Sequence, residues 1–156
     1  MDISVAQTWL HIWHLLVAFA LAIPIGLNRE IGARSAGIRT FPLVAVASCA
    51  YILTGLYVLQ GFEAQSRLMY GLMVGIGFIG GGAIIKSKMA VTGTATAASI
   101  WNMGAIGLTV AWDRFEIAIT LMVLNFLTLY LGAKIKQRLR PGEPPEGSDT
   151  IRDNGD

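Results

Sequence analysis

Five long stretches almost free of charge organise this sequence: Trp9–Leu27, Phe41–Gln60, Leu68–Ile85, Thr94–Trp112 and Phe115–Ala133. A helix needs about 20 mostly apolar residues to cross the roughly 30 Å hydrocarbon core of a bilayer, and each stretch has about that length. Buried helices of a small soluble protein would alternate apolar and polar faces, and these mostly do not. Only 14% of the 156 residues are charged and 54% are hydrophobic, where soluble domains carry about 25% charged residues. The fold class is therefore an all-α integral membrane protein, a bundle of five transmembrane helices. One domain, residues 1–140, holds all five.

The third stretch contains "GIGFIG" (Gly75 to Gly80), formally a G-x-G-x-x-G. A dinucleotide loop needs a preceding strand, a following helix and a ribose-binding acid about 20 residues on. That region reads "SIWNM", and the first acid after the glycines is Asp113. A P-loop is excluded too, because Ile85 precedes Lys86-Ser87 where glycine is required. The glycines instead suit helix packing, since small residues let membrane helices approach closely. Gly71 with Gly75 forms one stripe, and Gly77 with Gly81 another. Three consecutive glycines, Gly80, Gly81 and Gly82, cost about 1 kcal/mol each against alanine, so the third helix should loosen or end there.

Basic residues set the orientation. Arg29, Arg34, Arg39, Lys86, Lys88, Lys134, Lys136, Arg138, Arg140 and Arg152 fall on one side, and only Arg67 and Arg114 on the other. The positive-inside rule puts the N-terminus outside and the C-terminus in the cytoplasm. Residues 1–22 lack the basic start of a signal peptide and read as part of the first span. The single Cys49 lies within the second span and reads as a small packing residue. The tail 141–156, rich in proline and acids and almost without aliphatics, reads as disordered or as a vector-derived extension. Gly26–Gly37 and Gly82–Gly93 are equally spaced, each running from a helix end through a basic loop. That echo suggests a parallel repeat of helices 1-2 and 3-4.

Candidate functional residues gather in "GLNREIGARSAGIRTF". Arg39 stands just before a helix start, where the helix dipole disfavours a cation. Glu30 is expected to relieve this by pairing with Arg39 or Arg29, Thr40 to cap the second helix, and Gly37 to supply a positive φ. Asn28 belongs to the same loop. From the second hairpin, Thr92, Thr94 and Thr96 should meet this loop, with Asn102 as the floor of a shallow polar pocket. Ser99, Asn102 and Asn125 lie near mid-span, where such groups act as interhelical glue or as a polar lining, glue being the better reading. No Asp, Glu, Lys or Arg lies mid-span, which argues against a pump or an autonomous metal transporter. His11 and His14 sit one turn apart, and without a nearby third ligand they read as interfacial hydrogen-bonding groups. No nucleophile elbow, H-E-x-x-H, ATP-binding motif or cysteine pair occurs, so neither enzyme activity, nor a cofactor, nor a metal site, nor nucleic-acid binding is expected.

"AGIRT", "GIGFIGGGAII" and "VTGTATAASIW" followed by "AIG" together resemble the successive signatures of the bacterial MgtC/SapB membrane proteins, over roughly residues 10–133. Some members carry a C-terminal soluble ACT-like domain; the resemblance here implies the transmembrane domain alone. The family pattern G-x-E-R-E/Q reads Gly26-Leu27-Asn28-Arg29-Glu30 here, so Asn28 replaces an acid. The resemblance implies a multi-pass inner-membrane protein linked to magnesium limitation, acid stress or survival in host cells. The expected function is non-enzymatic: modulation of ion homeostasis or membrane energetics through helix–helix contacts. The alternative is a small dimeric ion transporter or channel. Expected partners are membrane lipids, a second copy of the chain, and a membrane protein or small membrane peptide.

Overall fold

The computed structural model describes residues 4–31, 36–86 and 91–139. The tail 141–156, Arg34, Lys88 and Arg140 lie outside the described residues. Five helices follow one another: α1 (Val5–Ile31), α2 (Thr40–Val58), α3 (Phe62–Gly82), α4 (Thr94–Ala111) and α5 (Phe115–Leu139). Between α3 and α4 the strands β1 (Ile85–Lys86) and β2 (Val91–Thr92) pair antiparallel, Ile85 opposite Thr92. Each apolar stretch has become a helix, and the charged segments have become its ends.

Three helices are long and apolar enough to cross a membrane: α1 over Val5–Glu30, then α2 and α5. α3 is diluted by Glu63, Arg67 and its glycines, and α4 by Thr94, Thr96, Ser99, Asn102 and Thr109. The polarity of α4 has a structural counterpart. It is the central helix, packed against α1, α2, α3 and α5, so its polar side chains can bond to neighbours. Ile100, Met103, Ile106 and Val110 of α4 meet Phe41, Ala45, Cys49 and Ile52 of α2 and Ala18, Ala22 and Ile25 of α1 in one buried core. Large apolar side chains such as Trp9, Trp13, Tyr70, Phe78 and Leu124 cover the outside. An apolar exterior of that extent is unstable in water and natural in lipid.

The helices alternate in direction, which gives the bundle two ends. One, the basic end, holds the close of α1, the start of α2, the β-hairpin and the start of α4. The other holds the α2–α3 connection and the α4–α5 turn. Glycines set the spacing between helices, though not mainly those of α3. A Cβ on Gly107 would overlap the Ala45 carbonyl oxygen and lie 2.9 Å from the Cys49 nitrogen, so α4 and α2 touch backbone to backbone there. Gly80 is similarly close to α4, its Cβ position lying 3.1 Å from the Ala97 oxygen. Around Gly71, Gly75, Gly77, Gly81 and Gly82, nothing described lies within 4 Å of a Cβ position. Within the chain, the expected packing stripe on the third helix therefore reduces to Gly80. Glycine spacing defines a face of a helix but not what that face meets. α3 does end at the glycine run: Ala83 and Ile84 donate their N–H groups to Gly80 and Gly81 in tight turns.

Candidate functional site at the basic end

The last turn of α1 turns a guanidinium into the protein. Arg29 is 2% exposed, and its Nη2 donates to the hydroxyl of Thr96, itself buried in the first turn of α4. Burying a cation costs several kcal/mol unless hydrogen bonds replace its water. The position at the close of α1 offsets part of that, because the negative end of the helix dipole favours a cation. Close contact also helps to seal the site. A Cβ on Gly26 would lie 3.0 Å from the Ile38 Cα, so the chain entering α2 lies directly against α1. The two hairpins thus meet at Arg29 and Thr96.

The neighbouring Glu30 does something different from what its sequence context suggests. Its Oε2 accepts the Ile38 N–H at 3.1 Å, while the N–H groups of Thr40 and Phe41 go to the Gly37 carbonyl. A carboxylate from α1 thereby sits beside the start of α2, where the helix dipole favours an anion. Two expectations are corrected and one is narrowed. Of the two partners expected for Glu30, Arg39 forms no ion pair with it among the described residues; Arg39 is exposed, and the carboxylate accepts the Ile38 N–H. Thr40 is the first helical residue and Arg39 holds the cap position, with no side-chain cap bond. Gly37 is not among the described residues with positive φ; it is needed because a Cβ there would collide with the Glu30 carboxylate.

The threonine run divides. Thr96 meets Arg29, Thr94 is exposed, and Thr92 holds its hydroxyl 3.5 Å from the Ile85 carbonyl within the hairpin. Gly93, with φ of 83°, makes the turn into α4, and a Cβ there would clash with the Ala83 oxygen. Asn28 is half-buried. Deeper along α4, the Ser99 hydroxyl lies 2.8 Å from the Ala95 carbonyl and 3.1 Å from Asn125 Oδ1, and Asn102 Nδ2 donates to the Leu121 carbonyl at 3.3 Å. Asn102 therefore ties α4 to α5 and does not floor a pocket shared with Thr94. These bonds fit the role of interhelical glue.

A second polar contact, at the opposite end, was not foreseen as a pair. His14 is buried; its Nδ1 donates to the Leu10 carbonyl at 2.7 Å, and its Nε2 lies 2.8 Å from Asp113 Oδ1. Asp113 follows α4 with a φ of 57°, and the Asp113 and Arg114 N–H groups return to the Val110 and Thr109 carbonyls. That is a Schellman-type helix end whose left-handed position usually holds glycine. Here the aspartate reaches back across the turn to fasten α1. Leaving a buried imidazole nitrogen without its partner costs about 1–3 kcal/mol, so Asp113→Ala should lower the melting temperature in detergent by several degrees. Asp113→Asn should largely retain it, because the amide can donate to Nε2. Equal loss in both variants would mean that the carboxylate charge, not the contact, holds the turn.

Among the described residues no group of three His, Cys, Asp or Glu is placed to hold a metal ion. A family model described as the MgtC family matches residues 15–138. Protein SrpB of Synechococcus elongatus is 34% identical over 145 residues, covering 84% of this chain and 79% of that protein. Protein MgtC of Salmonella typhimurium is 31% identical over 129 residues, covering 83% of this chain and 55% of that protein. The protein of Escherichia coli named putative magnesium transporter YhiD is 30% identical over 133 residues, 80% of this chain and 61% of that protein. The chain thus spans little more than half the length of the last two. No solved structure matches.

Proposed function

Because the chain belongs to the MgtC family, we propose that it serves magnesium homeostasis as a non-enzymatic, multi-pass protein of the bacterial inner membrane, acting through contacts between helices. In this reading all five helices cross the membrane, N-terminus out and basic end in the cytoplasm. The observation that carries it is the buried Arg29 guanidinium at the basic end of a bundle whose centre is filled by Ile100, Met103, Ile106 and Val110. A filled apolar centre offers no polar path for a cation through a single copy. The guanidinium, tying α1 to α4 through Thr96, suits a protein whose helix arrangement is its output. The paired hairpins as a parallel repeat, and a homodimer, belong to the same reading.

A second reading, a small dimeric transporter, draws support from the name of the Escherichia coli relative, putative magnesium transporter YhiD. The function is tested by complementation. Supplied to a strain lacking it, the chain should restore growth in limiting magnesium, and failure to do so would remove magnesium from the account. Orientation is tested by cysteine labelling. Gln65→Cys should be reached from outside intact cells and Lys86→Cys only after permeabilisation; labelling of both from outside would contradict the arrangement.

A further inference from the structure

α2 and α3 diverge towards the basic end and leave between them a groove of about 820 Å³. It is open because its walls carry so little: Ala47 on α2, with Gly71 and Gly75 on α3, stands where larger side chains would meet. Leu43 and Ile79 make the remaining surface apolar. At the far end, Leu68 packs so closely on Gly55 that a Cβ there would overlap it, which narrows the groove before a second cavity of about 570 Å³ beside Thr54 and Val58. From Thr40 to Tyr51 the α2 wall rises about 17 Å, slightly more than half of the roughly 30 Å hydrocarbon core. That is the reach of the acyl chains of one leaflet.

The charges at the two ends of this groove differ. Arg67, at the far end, is paired with Glu63 at 2.6 Å. Arg39, at the mouth, is exposed and forms no ion pair among the described residues. The mouth also offers the Thr40 side chain beside Arg39. A guanidinium fork with a hydroxyl beside it matches a phosphodiester, and an exposed cation outside any ion pair favours a ligand of net negative charge. We propose that the α2–α3 groove is a binding site for an anionic phospholipid of the leaflet at the basic end, with an acyl chain along Gly71 and Gly75 and the phosphate on Arg39. The inference rests on the membrane-spanning placement above and is independent of the magnesium reading.

The test is native mass spectrometry of the detergent-purified full chain with phosphatidylglycerol or phosphatidylcholine of identical acyl chains. The wild type should retain phosphatidylglycerol about fivefold better, the scale expected for one basic residue at a membrane surface. Arg39→Gln should erase that preference while still retaining lipid, and Arg39→Lys should restore most of it. Gly75→Leu, which fills the groove, should lower retention of both lipids. Matching melting profiles for the variants and the wild type make the comparison valid, and should Gly75→Leu fail to fold, the two Arg39 variants decide alone. Equal retention of the two lipids by the wild type, or an undiminished preference in Arg39→Gln, would overturn the site. So would a lipid-free dimer that Gly75→Leu converts to monomer, because a second copy would then fill the groove. Cysteine labelling at positions 65 and 86 stays as described if only the lipid site fails, and changes if the membrane placement fails.

Discussion

Gly107→Leu should lower the melting temperature of the detergent-solubilised protein by roughly 2–12 °C, the range expected when overpacking costs about 1–3 kcal/mol in a chain of this size. The reason is backbone contact. Any side chain at position 107 projects into the Ala45 carbonyl and the Cys49 N–H of α2, and neither can move without moving the helix. The cost is greater than at Gly104, where a Cβ would meet only the end of the Ile76 side chain, which can rotate away. Gly75→Leu is the informative contrast. Nothing described lies within 4 Å of a Cβ there, so the melting profile of the single chain should hardly change. The glycine motif of the third helix would suggest the opposite ranking. Equal drops for the two variants would mean that α3 is covered by a second copy even in detergent.

Arg29→Gln should abolish growth in limiting magnesium while leaving expression and membrane insertion intact. Glutamine removes the charge and, ending two bonds short of Nη2, also gives up the bond to Thr96, so comparison with Thr96→Val, which loses the bond alone, separates the cation from the hydrogen bond. Arg29→Lys should rescue only in part, because an ammonium carries the charge without the planar fork. Thr96→Val keeps the shape of the partner and removes its acceptor. That leaves a donor of a buried cation without one bond, at a cost of about 1.5–3 kcal/mol, and growth should fall correspondingly. Glu30→Gln should be milder than either Arg29→Gln or Thr96→Val, since an amide oxygen can still accept the Ile38 N–H. The order of these three variants is the signature of a site centred on Arg29. Normal growth of Arg29→Gln would move the site elsewhere.

The helices themselves were legible because apolar length is a local property. A run such as Phe115–Ala133 needs no knowledge of its neighbours to be read as a span. Which residues meet was not local. His14 and Asp113 are 99 positions apart, and nothing near either residue announces the other. Arg29 and Thr96 were both singled out, one as a loop residue and one within a threonine run, but only packing shows the guanidinium turned inward. Gly37 illustrates the limit within a single loop. The sequence context points to a turn with positive φ, whereas the need for glycine comes from the Glu30 carboxylate, eight residues from Ile38 in sequence, folding back over it. Nothing in "GAIG" distinguishes Gly107 from Gly104 until α2 is placed against it.

The account stands most directly on whether ions pass through the protein. Purified chain in vesicles loaded with a magnesium-sensitive dye, with matching proton and potassium measurements, should show flux no faster than protein-free vesicles, as expected for an apolar core behind a buried cation. Saturable magnesium flux that disappears in Arg29→Gln would contradict it and make the basic end the mouth of a transport pathway.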